Sequence, residues 1–286
     1  MFKNVGIVGA GTMGSGIAQA VALSKINVAL YDINDTLLRQ GIERVRTELR
    51  KGIQKGKLSQ DRFTETVERI RLKSNLSELA GCDLIIEAVI EDLRVKKDLF
   101  KHLEQNSNPT TILATNTSSL SVTAIAAGVS KQDRVVGIHF FNPAHSMKLV
   151  EVARGEQTSD GAMNSCMEFA KFIGKNPVPV KDTPGFIVNR VARPFYGEAL
   201  RLLGENVATV EQIDRIARMI GGFPLGPFEL MDLIGIDVNL SVTQSMYEQY
   251  SGEPRYRPHP IQKRMVESGL LGKKTRRGFY SYEDKI

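Results

Sequence analysis

The chain has 286 residues, with 38 Lys and Arg against 32 Asp and Glu, a formal net charge of +6 with histidine neutral. A hydrophobic content of 42% and a charged content of 24% describe a globular protein and exclude disorder, collagen and an extended coiled coil. No run of about 18 apolar residues is present, so no bilayer-spanning helix is expected, and at about 150 residues per domain the length suggests two domains.

The apolar start Val5–Gly9 carries glycines where a signal helix would need leucines, and it lacks a small-residue cleavage site. It reads as a first strand. Further strand-like runs follow at Asn27–Tyr31, Asp83–Val89, Thr111–Thr115 and Arg134–Phe141. Helical patterns lie between them, as at Thr12–Ser24 and Asp92–Glu104. In the latter, Leu93, Lys96, Leu99, Phe100 and Leu103 form an i, i+3, i+4 stripe with Lys96 as its one polar member. Strands alternating with helices imply parallel pairing, hence a Rossmann-type α/β domain. The stretch from Asp35 to Arg71 interrupts this rhythm and reads as a helical-hairpin insertion, two long charged helices joined near Lys55–Leu58. Met147–Arg154 follows Arg134–Phe141 so closely that these two strands must run antiparallel. After a last strand at Asn176–Lys181, Asp182-Thr183-Pro184-Gly185 ends the pattern and the remainder reads all-α. The expected domains are therefore 1–183 and 184–286. Cys82 and Cys166 form no C-x-x-C and are too few for a disulfide framework, so reduced thiols and a cytoplasmic setting are expected.

Gly9-Ala10-Gly11-Thr12-Met13-Gly14 is a G-x-G-x-x-G that follows a strand and opens a helix. That context allows a tight turn, close backbone approach and unpaired N–H groups facing a pyrophosphate. Asp32 ends the second strand 18 residues beyond Gly14. A carboxylate there accepts hydrogen bonds from ribose hydroxyls and repels a 2′-phosphate, and the next basic residue is Arg39, so NAD is favoured over NADP. Of the four histidines, none shares ligand spacing with another or with a cysteine, so no metal site is expected. His102 and His145 read as solvated and His259 as structural. His139 lies at the carboxyl end of a strand, where open α/β sheets bind ligands. A hairpin symmetric about residue 145 sets Glu151 opposite it, close enough for a carboxylate to hold an imidazole nitrogen and fix its tautomer. A cross-strand polar pair that serves only the sheet remains the alternative.

Beyond these motifs, Asn116-Thr117-Ser118-Ser119-Leu120-Ser121, His139-Phe140-Phe141-Asn142-Pro143, Met147-Lys148-Leu149-Val150-Glu151-Val152, Pro184-Gly185-Phe186-Ile187-Val188-Asn189-Arg190, Gly226-Pro227-Phe228 and Gly272-Lys273-Lys274 with Gly278-Phe279-Tyr280 stand in one order along essentially the whole chain. Together they resemble the L-3-hydroxyacyl-CoA dehydrogenase family, most closely its bacterial 3-hydroxybutyryl-CoA members. The resemblance implies an NAD-binding first domain, a helical second domain that forms a homodimer, a substrate cleft between them and an acyl-CoA substrate. It implies His139 as acid/base, Glu151 as its orienter, and Ser118 and Asn189 as hydrogen-bonding groups for the reacting oxygen and the thioester. Glu91, Lys96, Asn116, Asn142 and Lys274 correspond to cofactor-side residues. Read without it, Ser118 and Asn116 would be loop caps and Asn189 a helix-surface residue. Lys51 and Lys55, one helical turn apart, match a CoA-contacting arm or else form a solvated basic face. His145 stands where the family commonly has proline, and Arg276 where it has glycine.

The expected activity is reversible, NAD-dependent oxidation of an L-3-hydroxyacyl-CoA. The rival readings are a hydroxy-acid or sugar-acid dehydrogenase of the same superfamily and a non-catalytic NAD(H)-binding protein. Basic residues interleaved with acids, and no recognition motif, argue against a nucleic-acid partner.

Overall fold

In the computed structural model, which describes residues 2–282, the alternating pattern forms one eight-stranded sheet of order β3-β2-β1-β4-β5-β6-β7-β8. Its strands are β1 (Asn4–Val8), β2 (Asn27–Tyr31), β3 (Ile70–Lys73), β4 (Leu84–Glu87), β5 (Ile112–Thr115), β6 (Val135–Phe140), β7 (Leu149–Arg154) and β8 (Asn176–Lys181). All neighbours pair in parallel except β6 with β7. The central strands β4, β5 and β6 are buried along their whole length, as a sheet covered on both faces requires.

The helices of this unit are α1 (Thr12–Leu23), α2 (Asp35–Gln54), α3 (Gln60–Glu68), α4 (Leu93–Gln105), α5 (Val122–Ala126) and α6 (Asp160–Phe172). Polar caps start most of them. Asn34 accepts from the N–H groups of Thr36 and Leu37, and Asp92 from those of Arg94 and Val95, each cap contributing about 1 kcal/mol. Helix α1 is buried from Gly14 to Ala22, which explains its run of small and apolar residues, interrupted only by Gln19.

Two local expectations change. The Asp35–Arg71 stretch is the crossover from β2 to an eighth strand, and β3 begins inside it. That strand hides from sequence patterning because it is a short edge strand of sequence Ile-Arg-Leu-Lys with only Ile70 buried. The second helix of the hairpin is also short, since Ser59 caps it at Gln60 and it ends at Glu68.

The chain separates into two compact units, Met1–Thr183 and Pro184–Ile286. Among the described residues, the α-helices of the second are α7 (Val188–Gly204), α8 (Val210–Met219), α9 (Pro227–Ile234), α10 (Ile236–Gln249) and α11 (Pro260–Glu267), and it contains no strand beyond isolated bridges near its end. Thr209 and Gln212 form the capping box that their spacing implies. Tyr196, Leu200, Ile213, Phe228, Met231 and Ile236 make its core. Two buried aspartates organise this unit. Asp214 accepts from the Phe228 and Glu229 N–H groups and the Tyr280 hydroxyl, each at 2.9 Å. Asp232 accepts from the Phe279 and Tyr280 N–H groups and the Tyr282 hydroxyl, each at 3.0 Å. The glycines of the flanking motifs follow from this: a Cβ on Gly226 would stand 2.3 Å from Asp214 Cγ, and one on Gly278 2.1 Å from Asp232 Oδ1.

Candidate active site

Within the first unit, the connections leaving the carboxyl ends of β1, β2, β4, β5 and β6 all emerge on one edge of the sheet, the edge where such sheets bind ligands. The loop after β1 is the glycine turn. Gly9 has φ +99°, and a Cβ there would meet the Ala88 carbonyl at 2.6 Å. A Cβ on Gly14 would lie 1.8 Å from the Gly9 carbonyl oxygen, whereas one on Gly11 would meet nothing within 4 Å. Gly9 and Gly14 are thus required by packing, and Gly11 only by what approaches the loop. Gly11 caps α1 with no side-chain acceptor and no acid stands in the first turn, so the first N–H groups of the helix are left for an anion. Asp32 holds the loop, accepting from the Ala10 N–H at 2.7 Å and the Asn34 N–H at 3.1 Å. A carboxylate has about four acceptor positions, so two remain for ribose hydroxyls. This donor set fits NAD: the N–H groups of the loop suit a pyrophosphate, and the remaining acceptor positions of Asp32 suit a ribose.

β6 and β7 pair with His139 directly opposite Glu151. The two side chains are 6% and 1% exposed, and His139 Nδ1 lies 2.8 Å from Glu151 Oε2. A carboxylate facing Nδ1 assigns the proton to that nitrogen and leaves the lone pair on Nε2. The Phe141 ring packs against the imidazole with centroids 4.4 Å apart. The following turn begins with a cis Asn142–Pro143 bond and is pinned by Lys175, whose ammonium donates to the Ala144 and Met147 carbonyls at 2.6 and 2.8 Å. Burial, with Lys148 nearby, lowers the Lys175 amine to about 8.

Other candidate residues divide sharply. Asn142 is exposed and Asn116 and Ser118 are half-buried at the same edge. Lys96 does not present its charge to the surface: it is 1% exposed, with Nζ 2.5 Å from Glu87 Oε1 and 3.2 Å from Glu91 Oε2. Burial opposes ionisation of Glu91, but Lys96 and the donors from Thr117 and Ser118 outweigh it and hold the carboxyl below its ordinary range. Glu87 escaped sequence reasoning because it ends an apolar strand. The signal for it was the lysine in the apolar stripe of α4, since a charge at a core position requires a buried partner.

On the arm, Lys51 pairs with Glu48 at 2.7 Å, and Lys55 is exposed at the end of α2. His145 is half-buried rather than solvated. It borders a cavity of about 540 Å³ whose walls include Thr12, Gln19, Arg44, Glu48 and Asn142, and its Nε2 lies 4.0 Å from Glu48 Oε2.

In the second unit, Asn189 lies in the first turn of α7 and accepts from Arg193 Nη2 at 3.4 Å. Lys274 pairs with Asp237 at 2.6 Å. Arg276 sits in the left-handed region at φ +58°, the conformation glycine adopts most easily. His259 caps α11, accepting from the Ile261 N–H.

Two family models match in succession, the NAD binding domain of 3-hydroxyacyl-CoA dehydrogenase over residues 4–183 and its C-terminal domain over residues 185–282. A probable 3-hydroxybutyryl-CoA dehydrogenase of Bacillus subtilis is 41% identical over 283 residues, 99% of this chain and 98% of the relative. A 3-hydroxyadipyl-CoA dehydrogenase of Escherichia coli is 45% identical over 280 residues, and there the chain spans 59% of the relative's length. Among solved structures, an (S)-3-hydroxybutyryl-CoA dehydrogenase from Ralstonia eutropha superposes with a TM-score of 0.95 at 40% identity, covering 99% of this chain and 100% of that one.

Proposed function

The chain belongs to the 3-hydroxyacyl-CoA dehydrogenase family of NAD-dependent oxidoreductases, and from this premise we propose that it interconverts a short (3S)-3-hydroxyacyl-CoA, 3-hydroxybutyryl-CoA in the first instance, with the 3-ketoacyl-CoA. The observation that carries the reading is the buried His139–Glu151 pair at 2.8 Å, in the same sheet as the strand that leads into the glycine loop.

In the oxidative direction His139 Nε2 takes the proton of the substrate hydroxyl. Glu151 keeps the Nδ1–H pointed across the strand pair and faces the imidazolium that forms. Such general-base help contributes about 10²- to 10⁴-fold. Bound NAD supplies the hydride acceptor for C3. Ser118 bonds the reacting oxygen. Asn189 enters the proposal on the family resemblance alone, as do Asn116, Asn142 and Lys274 on the cofactor side. Lys96 acts from inside the protein. The cavity between α1, α2 and the turn after β6 receives part of the CoA thioester, with Lys51 one turn and Lys55 two turns further along the arm for its phosphates.

We assign residues 1–183 to cofactor binding and 184–286 to substrate and dimer contacts. Homodimerisation is supported by exposed apolar side chains on the second unit, among them Val191, Ile216, Met219, Ile220 and Phe223, between 50% and 84% exposed; light scattering tests it. Free thiols at Cys82 and Cys166 support a reducing, cytoplasmic setting.

The deciding experiment follows NADH consumption with acetoacetyl-CoA, against NADPH and against free acetoacetate. Consumption with NADH and the thioester alone is expected. Turnover of free acids at comparable efficiency would move the reading to a hydroxy-acid dehydrogenase, and tight NADH binding without turnover to a non-catalytic protein. The Escherichia coli relative supports one further arm, 3-hydroxyadipyl-CoA against 3-hydroxybutyryl-CoA. The larger kcat/KM identifies the acyl group.

A further inference from the structure

Glu87 and Lys96 are 0% and 1% exposed, and together with Glu91 they are tied to the turn that leaves β5. Two arms run from the Lys96 ammonium. Through Glu87 Oε1 it reaches the end of β4, where Oε2 accepts from the Thr115 hydroxyl at 2.7 Å and that hydroxyl accepts the Thr117 N–H at 3.3 Å. Through Glu91 it reaches the same turn from outside. Oε1 accepts from the Thr117 hydroxyl at 2.5 Å, the Ser118 N–H at 3.0 Å and the Ser119 hydroxyl at 3.3 Å. Both arms close on Thr117. Asn116 extends the ring: its N–H donates to the Glu87 carbonyl at 2.8 Å, and its Oδ1 accepts from the Phe140 N–H at 2.9 Å, one residue beyond His139.

A buried ion pair is a poor source of stability, because desolvation offsets most of its attraction, and an apolar pair of similar volume would fill the core as well. An apolar pair could not aim a carboxylate at the donors of Thr117–Ser119. We propose that Glu87 is a positioning residue for the dehydrogenase reaction: with Lys96 it locks the Asn116–Ser119 turn, so that Ser118 is held in register with His139. This rests on the proposed function for its catalytic consequence, and on geometry alone for the lock.

The test compares Glu87→Gln, Lys96→Met and the double variant with the wild type by kcat/KM, thermal unfolding and amide hydrogen exchange. Glu87→Gln keeps the side-chain shape while leaving Lys96 with one carboxylate. It should lower kcat/KM about ten- to a hundredfold, chiefly in kcat, as expected for a misplaced reacting geometry, and accelerate exchange of the Ser118 amide. The double variant removes the unmatched ammonium, so its unfolding temperature should return towards wild type while kcat/KM does not. Lys96→Met adds a pH signature. Among the described residues, Glu91 pairs with Lys96 and, through it, faces Glu87. Without Lys96, burial is less opposed, the Glu91 carboxyl titrates higher, and the acid limb of kcat/KM moves to higher pH. Wild-type kcat/KM in folded Glu87→Gln, or its recovery in the double variant, overturns the proposal. If the wild type turns over no CoA thioester, the functional reading fails separately, and unchanged Ser118 exchange in Glu87→Gln would then overturn the lock.

Discussion

A methyl group placed on Gly11 meets no heavy atom of the protein within 4 Å, and the residue's φ of −65° and ψ of −169° suit alanine. Gly11→Ala should therefore fold at least as well as the wild type. Reduced freedom of the unfolded chain contributes about 0.4–1 kcal/mol at a compatible site, which for a protein of this size raises Tm by at most about 4 °C. On the proposed placement of NAD, the methyl projects into the approach of the pyrophosphate to the helix N-terminus. Losing one charge-assisted hydrogen bond there costs about 1.5–3 kcal/mol, so NADH affinity should fall about ten- to a hundredfold. Gly14→Ala is the contrast: its Cβ would stand 1.8 Å from the Gly9 carbonyl oxygen, the loop must move, and both Tm and affinity should drop. Fluorescence titration with NADH beside a thermal melt reads both quantities. A Gly11→Ala protein that binds NADH as tightly as wild type would refute the placement of the dinucleotide over this loop, and one with a markedly lower Tm would refute the packing argument.

Other consequences follow from particular contacts. His139→Gln should lose about 10²- to 10⁴-fold in kcat with NADH affinity nearly unchanged, and wild-type turnover would remove His139 from the mechanism. Glu151→Gln can turn its amide N–H towards His139 Nδ1 and invert the tautomer, so kcat should fall by a similar order with little change in NADH binding; activity within a few per cent of wild type would show that tautomer control is unnecessary. Gly226→Ala forces a Cβ to within 2.3 Å of buried Asp214, and overpacking of about 1–3 kcal/mol should appear as a lower Tm. An unchanged melt would contradict it. For Lys175, the native amine titrates at about 8 against an ordinary 10.5. Between those values the unfolded chain carries a proton that the native one has released, so this group's contribution to stability rises with pH across the window. Urea unfolding should show that rise in wild type and not in Lys175→Met, and identical slopes would dismiss it.

The sheet and its cofactor were readable from the chain because both rest on local physics. Strand and helix periods, the glycine turn and the acid ending β2 each occupy a few consecutive residues; the short connection between β6 and β7 makes them antiparallel, and a hairpin symmetric about residue 145 has the register that opposes His139 to Glu151. The edge strand β3 was not readable, since four residues with a single buried side chain carry too weak a period. His145 looked like a solvated loop tip because sequence cannot register the cavity wall it joins.

What only the tertiary structure decided is which charges are inside. Lys175, Asp214 and Asp232 look in sequence like any other lysine or acid, and each is buried because partners far along the chain satisfy it: Lys175 by carbonyls 31 and 28 residues away, Asp214 by groups 14 to 66 residues away, Asp232 by groups 47 to 50 residues away. The cost of burying a charge is met by geometry that folding alone assembles, so Glu151 opposite His139 is legible in a local hairpin, while the partners of Lys175, Asp214 and Asp232 become visible only in the folded chain.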